Sequence, residues 1–337
     1  MMTIFRASVC GFALASALPA AVLADSMTLT HHFPPTHFLA TAAAEPFVQC
    51  VEAEWDGDLE VNVYGASQLH AAKNALDALH DGLADVSPVA MGYVSAAMPL
   101  TGIVMLPGLA DTSVGLTTAL RRNLTDGGPI AEEFAAQGIR PLFINMSPAY
   151  QMMSRGEPVR DPEGFKGKTW RSGGGTMNVA ITSLGGSPAE MPGGDMYVAL
   201  QRGAMDGTIL SSISVKPYNT QEVVKSMSSN AKFGQYATIF VVRAAYYDGL
   251  SEPNKAVIDK CGAKVEEELA IASDKINDEL YAEFAAGGVE VYTLTEDAVA
   301  AFDTALQPVI DDYIARVDER GLPGKEAYDQ LKAALGN

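Results

Sequence analysis

The chain has 337 residues, 48% of them apolar and 19% charged, enough to bury the cores of two ordinary lobes and too apolar for an intrinsically disordered protein. Its net charge of -18 sets it against nucleic acid and anionic membrane surfaces as partners. An anion bound by so acidic a protein must be held by local groups, which gives weight to any arginine placed on a buried strand.

The first 24 residues read as an export signal. Arg6 supplies the positive start, Val9 to Leu18 the apolar run, and Val22-Leu23-Ala24 a small-residue cleavage site, so the mature chain is expected to begin at Asp25. The apolar run is short for a membrane span, and Cys10 sits in a poor lipobox, so a periplasmic protein without direct membrane insertion is expected. Export leaves Cys50 and Cys261 as two thiols in an oxidising compartment, either bridged or separately buried.

In chain order, Met27–Thr30 reads as a strand, followed by His31 and His32, of which alternation turns one inward. A helix is expected from about Thr41 to Glu54, then a strand at Leu59–Tyr64 (LEVNVY) with regular alternation. An amphipathic helix is expected over Leu69–Leu83, closed by Gly82, and a strand over Asp85–Pro88. Changes of character at Ser147-Pro148 and again at Gly234–Thr238 suggest that the chain crosses between lobes more than once. Gln151–Ser154 is a short strand, and TIFVVR opens another after the second crossing. Ser251-Glu252-Pro253 starts a helix of about 30 residues, with proline in the permitted first turn.

The segment from Phe165 to Gly207 is the most informative. A short apolar strand delivers Arg171 onto the turn Gly173-Gly174-Gly175, and a helical run from Met177 to Leu184 is expected to bring backbone N–H groups to the same point. A guanidinium fork there suits a carboxylate or a sulfonate. Asp195–Arg202 reads as a further helix with Gly203 at its end, and Asp206 as a turn residue. Arg171 has a second reading, as a structural arginine paired with an acid at a sheet end.

Catalytic and metal motifs are sparse. There is no GxSxG elbow, and His31, His32, His37, His70 and His80 form no HExxH. The glycines of 173–175 lack GxGxxG spacing. No cofactor or metal is expected.

The segments MTLTHHFPP, YGASQLHAAKNALDALHDGLADVSPVAMGYVSAAMPL, MLPGL, DPEGFKGKTWR and MYVALQRGAMDG, in this order and spacing, resemble the DctP-type substrate-binding proteins of tripartite ATP-independent periplasmic (TRAP) transporters. The resemblance implies an α/β, two-lobe periplasmic-binding-protein fold of type II-like form, with crossing hinge strands and a long helix in the C-terminal half. Lobe I would comprise 25–147 and 236–275, and lobe II 148–235 and 276–337. Closure of the lobes around a small organic acid, then delivery to the small and large membrane permease subunits, is the implied function. An exported enzyme acting on an organic acid and an ABC-type or signalling receptor are the alternatives.

On this resemblance Arg171 clamps the ligand carboxylate and His32 faces the cleft. Tyr150 stands where many members place a second arginine, which counts against a dicarboxylate. Met91, Tyr93, Phe233 and Tyr236 are further candidates for ligand contact. Leu210, in DGTIL, replaces the asparagine of the DGQEN run in sialic-acid binders. Gly193 stands where many members have phenylalanine, and Gly174 replaces a side chain, so a less polar and roomier pocket is expected.

Overall fold

The computed structural model describes residues 25–336, so the expected export signal lies outside the described residues. Among the described residues there are eleven strands: β1 Asp25–Thr30, β2 Leu59–Tyr64, β3 Val86–Ala90, β4 Ile139–Met146, β5 Gln151–Ser154, β6 Thr169–Ser172, β7 Ser187–Glu190, β8 Gly207–Leu210, β9 Ser226–Ser228, β10 Ala237–Arg243 and β11 Glu290–Tyr292. They form two sheets, ordered β2-β1-β3-β10-β4 and β11-β9-β5-β8-β6-β7. In the first, β1 runs parallel to β2 and β3, while β10 returns antiparallel to β3 and β4. Every residue of β3 is buried, as is usual for a strand covered on both faces. This is the two-lobe α/β architecture implied by the resemblance.

Two extended segments join the lobes. One runs from β4 to β5 and the other from β9 to β10, and they are tied to each other: Ser147 N donates to Tyr236 O (3.0 Å) and Tyr150 N to Gly234 O (2.9 Å). Neighbouring hinge strands that share hydrogen bonds must bend together. A third connection is the 35-residue helix Glu252–Ala286. Its start is capped by the Ser251 hydroxyl, which accepts from Asn254 N, and Pro253 costs nothing there because first-turn N–H groups have no helical partner. At about 50 Å long it packs on β4 at one end and on β11 at the other.

The helix expected over Leu69–Leu83 is shorter, a 3₁₀ turn at Ala72–Asn74 followed by Ala75–His80. The chain is still turning at Ala66 and Ser67, which have φ of 51° and 60°, and Gly65 is pressed under His31, whose ring would lie 2.7 Å from an added Cβ. The expected assignment of all of 276–337 to lobe II is crossed by the last helix. Gly324–Leu335 buries Ala327 and Leu331 and packs on Ser113–Asp126 and Pro129–Ala136, which flank the first sheet, while Glu296–Glu319 packs on Thr176–Ser183 of the second lobe.

Cys50 and Cys261 are disulfide-bonded, with Cα atoms 5.7 Å apart. The bond staples the helix Glu45–Glu54 to the long helix beside the core formed by Met27, Leu29, Phe47, Phe143 and Phe240. Among the described residues no helix is long and apolar enough to cross a membrane.

Candidate ligand-binding site

Strand β6 reads TWRS, and its alternation decides the site. Trp170 stacks on Phe165 (centroids 4.5 Å apart) in the core, so Arg171 points to the other face, into a small cavity between the lobes. Arg171 is 2% exposed. Its Nε and Nη2 donate to the Met191 carbonyl (3.0 and 2.8 Å), and Nη2 also donates to Tyr93 Oη (3.3 Å). Nη1 is buried without a partner, and no carboxylate among the described residues pairs with this guanidinium. The reading of Arg171 as half of a structural ion pair therefore fails. A buried, incompletely paired cation is costly, and an anion in the cavity would relieve that cost.

The remaining candidates divide. Arg171, His32, Tyr93, Tyr150, Gly193, Leu210 and Tyr236 all line this cavity. Met91 is fully buried in the core. Phe233 packs between Phe165 (5.6 Å) and Phe302 (5.7 Å), away from the cavity. Gly174 is at the joint between lobes: its Cβ would lie 2.5 Å from Gly92 O, and a Cβ on Gly92 would lie 2.3 Å from Gly173 O. The two lobes meet there backbone to backbone. Gly193 leaves no extra room either, because the Tyr218 ring comes within 2.6 Å of where its Cβ would be. The expected roomier pocket is thus corrected: both glycines permit close approach and neither opens space.

The expected convergence of N–H groups on the anion is also corrected. Gly173 N is taken by Met177 Sδ and Gly174 N by Ser172 Oγ. Two weak motif echoes likewise carry no chemistry. Gly167-Lys168-Thr169 has Pro162 where a phosphate loop needs its first glycine, and it leads into a strand. Ser229 and Lys232 have SxxK spacing, yet Ser229 Oγ donates to Tyr292 O and Lys232 pairs with Asp111.

Sequence reasoning missed Phe33, His37, Asn145, Ser147, Ser214 and Tyr218, which also line the cavity. Asn145 had a signal, a polar residue within the apolar run Leu142 to Met146 that ends strand β4. Tyr218 lies in an irregular segment with no periodicity to read.

The walls are aromatic and the permanent charge is single. Tyr150 stacks on Tyr236 (5.5 Å, 9° between planes) and Phe33 on His37 (4.7 Å, 20°). Burial pushes the Tyr150, Tyr218 and Tyr236 hydroxyls well up, against a smaller opposing pull from Arg171, so all three stay protonated. Loss of hydration pushes His37 down to about 3, with a smaller contribution from His31; His32 falls to about 3 for the same main reason, with repulsion from His37, His31 and His70 added. Leu39 N donates to His37 Nδ1 (3.1 Å), which leaves the proton on Nε2 to donate to Ser214 Oγ (3.2 Å). The lining contains no Asp, Glu or Lys.

A pH dependence follows. The folded pKa of His37 lies below its unfolded value of 6.5, so the unfolded state takes up the proton first and stability is lost as pH falls below 6.5. Between pH 6.5 and 5 this single site contributes a loss of about 1.6 kcal/mol. Urea titrations at both pH values should show it, and His37→Asn should reduce the slope to that left by His32, which is depressed in the same way; an equal slope in wild type and variant would mean that the His37 imidazole is hydrated.

Comparison with known proteins agrees with this architecture. The profile of the family described as "Bacterial extracellular solute-binding protein, family 7" (DctP) matches residues 29–316. The C4-dicarboxylate-binding periplasmic protein DctP of Rhodobacter capsulatus is 27% identical over 328 residues, covering 96% of this chain and 95% of that protein. A marine metagenome TRAP solute-binding protein specific for aromatic acid ligands, solved with 3-hydroxybenzoate, superposes with a TM-score of 0.86 at 19% identity, covering 93% of this chain and 98% of the other. A TRAP solute-binding protein from Rhodoferax ferrireducens, in complex with copurified benzoate, gives a TM-score of 0.83 at 16% identity, covering 92% and 97%. With the family profile spanning both lobes and a relative aligned along nearly its whole length, the chain belongs to the bacterial extracellular solute-binding protein family 7, the DctP family.

Proposed function

We propose that this protein is a periplasmic receptor of a TRAP transporter that captures a small monocarboxylic acid with a flat, apolar or lightly hydroxylated body and hands it to the membrane permease. The observation that carries this reading is the charge of the cavity: Arg171 is its only permanent cation, and its neighbours are aromatic or neutral. One carboxylate is matched there. A second would be desolvated without a counter-ion, a cost of several kcal/mol. The aromatic-acid ligands of two structural relatives point the same way, whereas the dicarboxylate ligand named for the Rhodobacter relative does not suit a site with Tyr150 in place of a second arginine. An exported enzyme is less well supported: the Ser214–His37 pair that lines the cavity has Nδ1 of the imidazole accepting from Leu39 N, so Nε2 carries the proton and donates to the serine instead of taking its proton.

Calorimetry and thermal shift with matched acids test the proposal. Benzoate and short branched monocarboxylates are expected to bind and to raise the melting temperature, while succinate, malate and sialic acid leave it unchanged. Leu210, 2% exposed on β8, faces the cavity without a polar atom. Leu210→Asn should weaken benzoate by about 1 to 3 kcal/mol, because the new amide is buried without partners. Micromolar binding of a dicarboxylate or a sugar acid by the wild type would overturn the single-charge reading.

A further inference from the structure

Tyr93 stands in the short turn Met91–Val94 that follows β3, on the first lobe, yet both of its hydrogen-bond partners belong to the second. Gly193 N donates to its hydroxyl (3.0 Å), and so does Arg171 Nη2 (3.3 Å). A phenol oxygen accepts two hydrogen bonds and donates one. Both acceptor positions are filled, and no residue among the described ones accepts the proton. Arg171 can be counted in the same way. Met191 O takes Nε–H and one proton of Nη2, which closes the side-on face of the guanidinium to a bidentate carboxylate, and Tyr93 takes the other Nη2 proton. Two protons on Nη1 remain.

We propose that the Tyr93 hydroxyl is the second donor to the ligand carboxylate: one carboxylate oxygen accepts from Arg171 Nη1, and the other from Tyr93 O–H. This deepens the receptor reading and rests on it. The two donors come from opposite lobes, so the clamp is assembled only when the lobes meet. Arg171, fixed by Met191 within its own lobe, can engage an anion in the open cleft. Tyr93 joins on closure, when Gly193 N and Arg171 orient its oxygen. Arg171 therefore governs capture and Tyr93 governs retention. The phenol ring is held independently of its hydroxyl, by Tyr236 and His32, each with its ring centre 6.0 Å away.

The test is Tyr93→Phe, which keeps the ring, read by stopped-flow fluorescence with benzoate as probe and by competition with benzamide, its uncharged isostere. The expected result is a dissociation rate raised about tenfold to a hundredfold with an association rate within about threefold of wild type, as suits a lost hydrogen bond to a charged group. The preference for benzoate over benzamide should shrink by a similar factor. A purely structural role would weaken both probes together and leave that preference intact, which would overturn the proposal, as would an unchanged dissociation rate. Absence of benzoate binding by the wild type would instead overturn the aromatic-monocarboxylate reading, and this proposal with it.

Discussion

Arg171→Ala is expected to remove carboxylate binding, at a cost of about 2 to 5 kcal/mol, or roughly thirtyfold to several thousandfold in affinity. The magnitude follows from burial. The guanidinium is 2% exposed, held on one side by the Met191 carbonyl and met on the other by no acid among the described residues, so a ligand anion would be its sole counter-charge. Arg171→Lys should recover only part of the loss, since an ammonium cannot bond Met191 O and the ligand in the same fixed geometry. Calorimetry with benzoate decides the matter. Affinity within about threefold of wild type in the alanine variant, under ~1 kcal/mol, would show that the carboxylate lies elsewhere. The variant itself should fold at least as well as wild type, because it deletes a buried charge without a paired acid.

Loss of the Cys50–Cys261 bond is expected to have the largest effect on stability. The bridge closes a loop of 211 residues, and the chain-entropy account gives about 5 kcal/mol for a loop of that length, at the upper end of the usual range of about 2 to 5. Because both ends lie beside the apolar core of the first sheet, reduction should lower the melting temperature while benzoate affinity, measured well below that temperature, stays within about twofold. The double variant Cys50→Ala/Cys261→Ala should behave as the reduced protein does. Thiol titration of the denatured, non-reduced protein gives an independent reading: two reactive thiols would show that the bridge does not form in the cell.

Much of the fold was legible where local chemistry and tertiary context agree. β2 falls at the limits expected from alternation, β5 at its expected limits too, and the long helix starts at its serine cap and first-turn proline. Arg171 was legible as a candidate from its place on a short apolar strand, which left a structural ion pair open, and the resemblance supplied the preference for ligand contact. The rest was hidden for identifiable reasons. Helix Glu296–Glu319 contains Pro308, which argues locally against continuity and is outweighed by burial of Phe302, Leu306 and Val309. Gly174 and Gly193 looked like missing side chains, and only the neighbours they press on, Gly92 and Tyr218, show why they are glycines. Phe233 and Met91 are apolar residues next to cavity residues, and sequence order does not distinguish the lining from the core behind it. Tyr93 could be named as a candidate, but its second-lobe partners depend on how the lobes meet.

The contact of Gly92 with Gly173 and Gly174 separates two properties that are usually coupled. At this point main chain lies against main chain, with the Tyr236 hydroxyl donating to Gly173 O beside it (3.0 Å). On the proposed function, a cavity position such as Leu210, which is not among the atoms at that contact, could be exchanged without touching it. If the proposed receptor role holds, cargo would be rewritten there while the silhouette of the shut molecule is kept, and a single docking surface on a membrane partner would serve descendants of this chain that carry different acids.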